Sequence, residues 1–178
     1  MKEFKPIILF IVKFFAVYFI LLIGYNRYLS SYHAHNRADA WSSAVAAGSV
    51  NLAKIAGFKA EAVTDSLQPR IWIYMDGQKT SYINEGCNAV SLLILFAAFI
   101  VAFSTTWIKT LLYILGGWVV IQLMNILRIV WLNYIFRYHQ EYGKAAHDYL
   151  FPLLIYGTVF LLWVVWVRMF FVKKIKAT

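Results

Sequence analysis

Four apolar runs limit what this chain can fold into. They cover residues 6–24, 88–106, 110–136 and 149–172. A helix needs about 20 residues to cross the ~30 Å hydrocarbon core of a bilayer. Each run is therefore too long for an ordinary buried helix and predicts a membrane span. A cleaved signal peptide is the alternative for run 6–24, but no small-residue cleavage site follows it, so we interpret it as an uncleaved span.

Composition supports the membrane interpretation. The chain is 62% hydrophobic and 14% charged, whereas soluble domains are about 25% charged. In a soluble protein the net charge of +9 would indicate nucleic-acid binding. Here basic residues flank the spans, so we assign them to topology and expect a lipid bilayer and no nucleic acid as partner. We predict an all-α polytopic membrane protein, with residues 1–178 forming a single membrane domain.

The basic flanks predict an orientation. Lys2 and Lys5 precede the first span, Lys109 lies between the second and third, and Lys173, Lys174 and Lys176 follow the fourth. With four spans these flanks share one side, which the positive-inside rule places in the cytoplasm together with both termini. The segments 25–87 and 137–148 then lie outside, and they hold seven of the eight acidic residues. The expected location is the inner (cytoplasmic) membrane of the cell.

The extracytoplasmic segment 25–87 predicts a helix and a β-hairpin. Residues 38–57 have helical character, with Trp41, Val45, Leu52 and Ile55 spaced as an apolar stripe. Residues 70–75 and 80–83 alternate around Asp76-Gly77, which is a strong hairpin signal. The hairpin would lead the chain directly to Cys87.

Cys87 is the sole cysteine of the chain. An internal disulfide is therefore excluded, which leaves an inert buried thiol, an intermolecular link or a reactive nucleophile. The residue sits where the second span begins, and free N–H groups at a helix start stabilise a thiolate. This position favours the nucleophile.

Two further polar groups are expected at the same membrane depth. The third span carries Gln122, Asn125, Arg128 and Asn133, which are costly in lipid and should face the bundle or water. At about 1.5 Å per residue, Arg128 lies ~27 Å along the helix axis from the start of that span, which places it near the outer edge of the hydrocarbon core. His147 precedes the fourth span, also at the outer edge, and His139 is a rival base in the same loop.

These residue types suit acyl transfer. A thiolate can form a thioester, an imidazole can move its proton, and a guanidinium can stabilise an oxyanion. Backbone N–H groups of Asn88 and Ala89 would add to the oxyanion hole, and Asp148 or Glu85 would orient the imidazole. The candidate catalytic residues are Cys87, Arg128 and His147, supported by Glu85, Asn88, Asn125 and Asp148. We expect no cofactor and no metal.

The order of these motifs resembles the exosortase/archaeosortase family of polytopic membrane transpeptidases, in particular its compact F-type members. The resemblance covers about residues 70–157 and rests on Glu85-Gly86-Cys87, on Asn125-Ile126-Leu127-Arg128 and on His147. Many family members have a glycine-containing turn after the cysteine, where this chain has Asn88-Ala89-Val90.

The resemblance implies a function. Family members cleave exported membrane proteins at a C-terminal sorting signal, made of a short motif, a transmembrane helix and a basic tail. The cysteine forms a thioester, and a lipid- or glycan-linked amine of the envelope resolves it.

Two alternatives stay open. One is a non-catalytic assembly or binding subunit in which Arg128 and Asn125 hold a partner helix. The other, weaker one is a small transporter whose third span lines a path.

Overall fold

The chain folds mostly into helices, with a small sheet inserted between the second and third. The computed structural model describes residues 4–104 and 106–171. The elements are α1 (Lys5–His33), α2 (Ala40–Ile55), β1 (Ala60–Thr64), β2 (Ile71–Met75), β3 (Gln78–Ile83), α3 (Val90–Ala102), α4 (Trp107–Tyr138), α5 (Gln140–Ala145) and α6 (Phe151–Trp166). One π-helical turn, Ala146–Leu150, joins α5 to α6, and another, Val167–Phe171, follows α6.

Long apolar helices account for most of the predicted spans. Within the described residues, α1, α4 and the combined rod Gln140–Met169 are long and apolar enough to cross a membrane. Runs 6–24 and 110–136 lie inside α1 and α4. The described part of run 149–172 lies in the rod and the turn after it, and residue 172 is outside the described residues.

The second run forms a shorter helix than predicted. Run 88–106 was expected to be helical throughout, but α3 begins at Val90 and ends at Ala102. Its 13 residues span ~20 Å at about 1.5 Å per residue, less than a bilayer core. Residue 105 lies outside the described residues. Phe96, Ala98 and Ile100 of α3 are fully buried, because this helix packs against α1, α4 and α6. A fourth span stays a prediction.

Helix α2 forms where the sequence predicts it, but its buried face differs. Asp39 caps the helix by accepting hydrogen bonds from the N–H groups of Trp41 and Ser42. Val45 of the predicted stripe is buried, whereas Ile55 is 83% exposed. The buried face consists mainly of small residues, namely Ser42, Val45, Ala46, Ser49, Val50 and Ala53. The stripe was wrong at Ile55 because close packing of α2 selects small side chains rather than the largest apolar ones.

The sheet confirms the hairpin and adds one strand. Strands β2 and β3 pair antiparallel, and Asp76 and Gly77 between them have φ of 48° and 76°. Two consecutive positive φ angles define the type I′ turn that an Asp-Gly pair favours. Strand β1, which pairs with β2 at the sheet edge, was not predicted. It is mostly exposed, so its sequence lacks the apolar pattern that marks a buried strand.

One hydrophobic cluster fixes the sheet to the helices. Ile71, Ile73 and Met75 of β2 are buried together with Val45 of α2 and Ile129 of α4. Polar contacts add to this packing, because the hydroxyl groups of Thr80 and Ser81 on β3 both donate to Oδ1 of Asn133 on α4. Strand β3 is thereby placed over α4, and the chain leaves it toward Cys87.

Candidate active site

Cys87 ends a tight turn between β3 and α3. The N–H of Cys87 donates to the carbonyl of Asn84 over 2.9 Å, and the N–H of Gly86 donates to Asn84 Oδ1 over 3.1 Å. Ala89 then adopts a left-handed conformation, with φ 61° and ψ 10°, before α3 begins. A conformation that glycine usually adopts is therefore present here without a glycine. The half-buried thiol lies three residues before the helix rather than at its first residue.

Two amides of α4 hold the backbone of this turn. Asn125 Nδ2 donates to the carbonyl of Cys87 over 2.9 Å, and Gln122 Nε2 donates to the carbonyl of Asn88 over 3.0 Å. Because residues three apart on a helix share a face, Gln122 and Asn125 meet two successive carbonyls. The polar face predicted for the third span thus positions the thiol turn.

Asn88 acts as a buried structural link. Its Nδ2 donates to Tyr25 Oη of α1 and Ser42 Oγ of α2, and its Oδ1 accepts from the N–H of Val90. Its side chain is fully buried, so it joins three helices around the thiol turn. The N–H groups of Asn88 and Ala89 donate no hydrogen bond within the described residues, but neither residue lines the cleft described below. Their part in an oxyanion hole stays a prediction.

Arg128 lies one helical turn after Asn125 on α4. It is half-buried, and its Nε is buried without a hydrogen-bond partner. Among the described residues no carboxylate forms an ion pair with it. Arg128 shares one cavity with Cys87 and a second one with Tyr156. A half-buried cation without a counter-ion is costly, and such a position suits a group that meets an anion.

His147 lies in the π-helical turn Ala146–Leu150. Pro152 explains this turn, because its ring excludes the carbonyl four residues earlier and it has no N–H to donate. The wider turn leaves the His147 side chain 58% exposed, and its Nδ1 lies 2.9 Å from Asp148 Oδ1. Asp148 is thus the carboxylate in contact with the imidazole.

Four of the predicted site residues line one cleft. A cavity of about 580 Å³ is lined by Cys87, Arg128 and His147, together with Asp148. Its other walls are β3 and the adjoining α4 side chains Ile129, Leu132 and Phe136. The predicted catalytic groups therefore come from the thiol turn, α4 and the π-helical turn, and face the same space.

Other candidates lie outside this cleft. Glu85 Oε2 is 3.8 Å from His33 Nε2, and Glu85 lines a different groove. The rival His139 lies 4.0 Å from Glu141 Oε1 and packs beside the Tyr134 ring. Among the described residues, His147 is the histidine that lines the cleft.

An aromatic and a basic side chain are among the cleft residues that the sequence analysis did not single out. Trp72 of β2 and Lys144 of α5 also line the cavity. Lys144 precedes His147 by three residues, and this helical spacing would have placed both on one face. Lys79 Nζ lies 3.2 Å from the centroid of the Trp72 ring, and Arg70 Cζ lies 4.2 Å from the same centroid. Lys144 thus adds a second basic side chain to the cleft that Arg128 lines.

The comparisons with known proteins give no further assignment. No protein-family model, curated protein or solved structure matches this chain. In residues 4–104 and 106–171, no group of three His, Cys, Asp or Glu side chains is arranged to hold a metal ion. The chemistry of the site is therefore argued from its own side chains.

Proposed function

We propose that this chain is a membrane-embedded cysteine transpeptidase of the exosortase/archaeosortase kind. One observation carries the proposal: Cys87, Arg128 and His147, from three separate segments, line a single cleft. A thiol, a guanidinium and an imidazole are the groups that acyl transfer through a thioester requires.

The first half-reaction cleaves the substrate. Cys87 Sγ attacks the carbonyl carbon of the scissile peptide bond while His147 takes the thiol proton. Arg128 stabilises the negative oxygen of the tetrahedral intermediate. The C–N bond then breaks, His147 gives its proton to the leaving amine, and the rest of the substrate stays on Cys87 as a thioester.

The second half-reaction regenerates the thiol. An acceptor amine attacks the thioester carbonyl and loses a proton to His147. The C–S bond breaks, an amide forms, and the proton returns to the Cys87 sulfur. The contact of His147 Nδ1 with Asp148 leaves Nε2 to carry this proton, and it stabilises the imidazolium that forms in each half-reaction.

The proposed topology places this cleft on the outer face of the cytoplasmic membrane. Helices α1, α3, α4 and the rod Gln140–Met169 are the four spans, and the basic flanks hold both termini in the cytoplasm. A substrate helix with a basic cytoplasmic tail obeys the same rule, so its other end emerges on the outer face. The residues preceding that helix can then enter the cleft beside Cys87.

Processing of a co-expressed substrate tests the proposal. The substrate is an exported protein with a C-terminal apolar helix and a basic tail, and cleavage is followed by its change in mass. We expect Cys87→Ala, Arg128→Ala and His147→Ala to abolish cleavage at normal membrane abundance. His139→Ala is the matched control, because His139 lies in the same connection but outside the cleft, and it should cleave normally.

Full cleavage by Cys87→Ala would overturn the proposal. Retention of the intact substrate by all the variants, in a complex isolated with the chain, would favour the binding subunit. Arg128, whose Nε is buried without a partner, would then serve to hold a partner helix.

A further inference from the structure

Strand β3 has a free edge. The strand order is β1-β2-β3, so β2 pairs with one side of β3. Within residues 4–104 and 106–171, no hydrogen bond from any other element reaches the backbone of residues 81–83. A strand edge of this kind presents unpaired N–H and C=O groups, which can pair with the backbone of another chain.

The hydrogen bonds on the other side of β2 show which groups of β3 point outward. The N–H of Asp65 donates to the carbonyl of Arg70 over 3.0 Å, and this bond flanks the pairing of Ile71 with β1. Ile71 therefore directs its own backbone groups away from β1, toward its β3 partner Ile83. Because this direction alternates along a strand, the N–H and C=O of Tyr82 point away from β2, to the free edge.

This free edge borders the catalytic cleft. Ser81 and Tyr82 are consecutive, and both line the cleft. Their side chains lie on opposite faces of the sheet, since Ser81 donates to Asn133 of α4 and the Tyr82 ring packs 5.3 Å from the Trp72 ring, centroid to centroid. A space that is lined by side chains of both faces lies along the edge between them. Strand β3 then leads directly into the thiol turn, which lines the same cleft.

The opposite walls of the cleft limit what can occupy this edge. Leu132 and Phe136 of α4 form an apolar wall, and Lys144 and His147 close the space beyond it. Because these walls face the edge, the cleft has room for one strand and not for a second sheet. A peptide in extended conformation fits, since its backbone matches the free N–H and C=O groups and every second side chain meets the apolar wall. The volume of about 580 Å³ is within the range of ligand sites.

We propose that the substrate segment preceding the membrane helix binds as an added strand on β3 and exchanges two backbone hydrogen bonds with Tyr82. Peptide binding is argued from the strand edge, and delivery of the scissile bond to Cys87 rests on the proposed transpeptidase function. Recognition through the backbone fixes the orientation of the substrate carbonyl before Cys87 attacks it. The side chains that alternate toward α4 then provide specificity.

Disulfide scanning tests strand addition without catalysis. In the Cys87→Ala chain, Tyr82→Cys supplies the sole thiol. The co-expressed probe is an exported protein with a C-terminal apolar helix and a basic tail, and it carries one cysteine, placed in turn at each residue of the segment before that helix. After mild oxidation of membranes, we expect disulfides at alternate residues of the probe, because every second side chain of an added strand lies on the Tyr82 face.

Val63→Cys in the same Cys87→Ala chain is the matched control. Val63 is exposed and pairs with Trp72, which pairs with Tyr82. It therefore lies in the same row of the sheet but at the opposite edge, and it should form no disulfide with the probe. Disulfides at consecutive probe residues, at none, or equally with Val63→Cys would overturn the proposal. Disulfides between two copies of the Tyr82→Cys chain, in place of those with the probe, would overturn it in favour of pairing between copies.

Proline substitutions at the two edges test the backbone contact itself. Tyr82→Pro removes the outward N–H but no hydrogen bond to β2. Ala62→Pro is the equivalent change on β1, because the β2 partner of Ala62 is Ile73, which has the same backbone direction as Ile71. We expect Tyr82→Pro to weaken capture of the probe by the Cys87→Ala chain about tenfold and Ala62→Pro to leave it unchanged. Equal capture by the two variants would contradict strand addition.

The two proposals fail in different ways. Alternating disulfides, in a chain whose native form cleaves no substrate, would leave strand addition standing and contradict the transpeptidase. Cleavage that depends on Cys87, without alternating disulfides, would contradict strand addition and leave the transpeptidase standing.

Discussion

The side-chain amide of Asn125 donates a 2.9 Å hydrogen bond to the backbone carbonyl of Cys87. This contact joins α4, which carries Arg128, to the turn that carries the thiol. A neighbouring contact from Gln122 to the carbonyl of Asn88 repeats the link one residue later. Helix α4 thus both carries the guanidinium and holds the backbone of the thiol turn.

Asn125→Ala should loosen the thiol turn. The partly buried Cys87 carbonyl would lose its donor, which costs up to about 1–3 kcal/mol. Hydrogen exchange should therefore become faster at residues 84–89. Asn133→Ala is the control, because Asn133 binds Thr80 and Ser81 of β3 instead and should affect exchange in the hairpin. Unchanged exchange at 84–89 in Asn125→Ala would contradict a positioning role for Asn125.

Gly143→Ala should displace His147. A Cβ at Gly143 would lie 2.5 Å from the Phe136 ring, whereas a Cβ at Gly157 would meet no atom within 4 Å. Overpacking of this kind costs about 1–3 kcal/mol and would move α5 away from α4, together with the π-helical turn. We expect substrate processing to fall in Gly143→Ala and to persist in Gly157→Ala. Recovery in the double variant Gly143→Ala, Phe136→Leu would identify the ring contact as the cause, and equal processing by both single variants would refute it.

Substituting alanine for Gly117 and for Gly116 should change the thermal unfolding temperature in opposite directions. A Cβ at Gly117 would lie 2.3 Å from the ring of the buried Phe96, and one at Gly116 would meet nothing within 4 Å. Gly117→Ala therefore forces α3 and α4 apart and should lower the thermal unfolding temperature. Gly116→Ala should raise it, since alanine stabilises a helix interior by about 0.5–1 kcal/mol over glycine. A drop of similar size for both variants would show that the Phe96 contact does not limit packing.

The hairpin should detach in acid. A hydrogen bond from the Tyr138 hydroxyl, and then one from the N–H of Lys59, hold the pKa of the Asp76 carboxyl below its usual range. Because this pKa is lowered, the contact of Asp76 with Tyr138 stabilises the fold at pH values above the usual pKa of a carboxyl group. That stabilisation is lost as the pH falls through the pKa of Asp76 in the folded state. In limited proteolysis from about pH 7 to about pH 3, the hairpin of Tyr138→Phe should be cleaved at a higher pH than the hairpin of the native chain. Tyr142→Phe, which changes an exposed tyrosine, should match the native chain. Identical acid profiles for Tyr138→Phe and the native chain would exclude this role for Asp76.

Much of this arrangement follows from local patterns, and the rest depends on packing. The Asp76-Gly77 turn and the polar residues Gln122, Asn125 and Arg128 are visible in the sequence because each follows from chain geometry or from the cost of burying a polar group. The exposure of Ile55 depends on which face of α2 meets its neighbours, and no periodicity specifies that choice. The π-helical turn at His147 is signalled by Pro152 alone. Two partners of Asn88, Tyr25 and Ser42, lie 63 and 46 residues away in the chain, so spacing could not predict them.

The convergence of Cys87 and His147 is the central claim, and it can be measured without a substrate. Because Cys87 is the sole cysteine, His147→Cys creates a single defined thiol pair in the full chain. Treatment of membranes with a short bifunctional thiol reagent, followed by proteolysis between the two positions, should leave the fragments joined. His139→Cys provides the matched control and should leave them separate. Crosslinking of Cys87 to residue 139 but not to residue 147 would contradict the account.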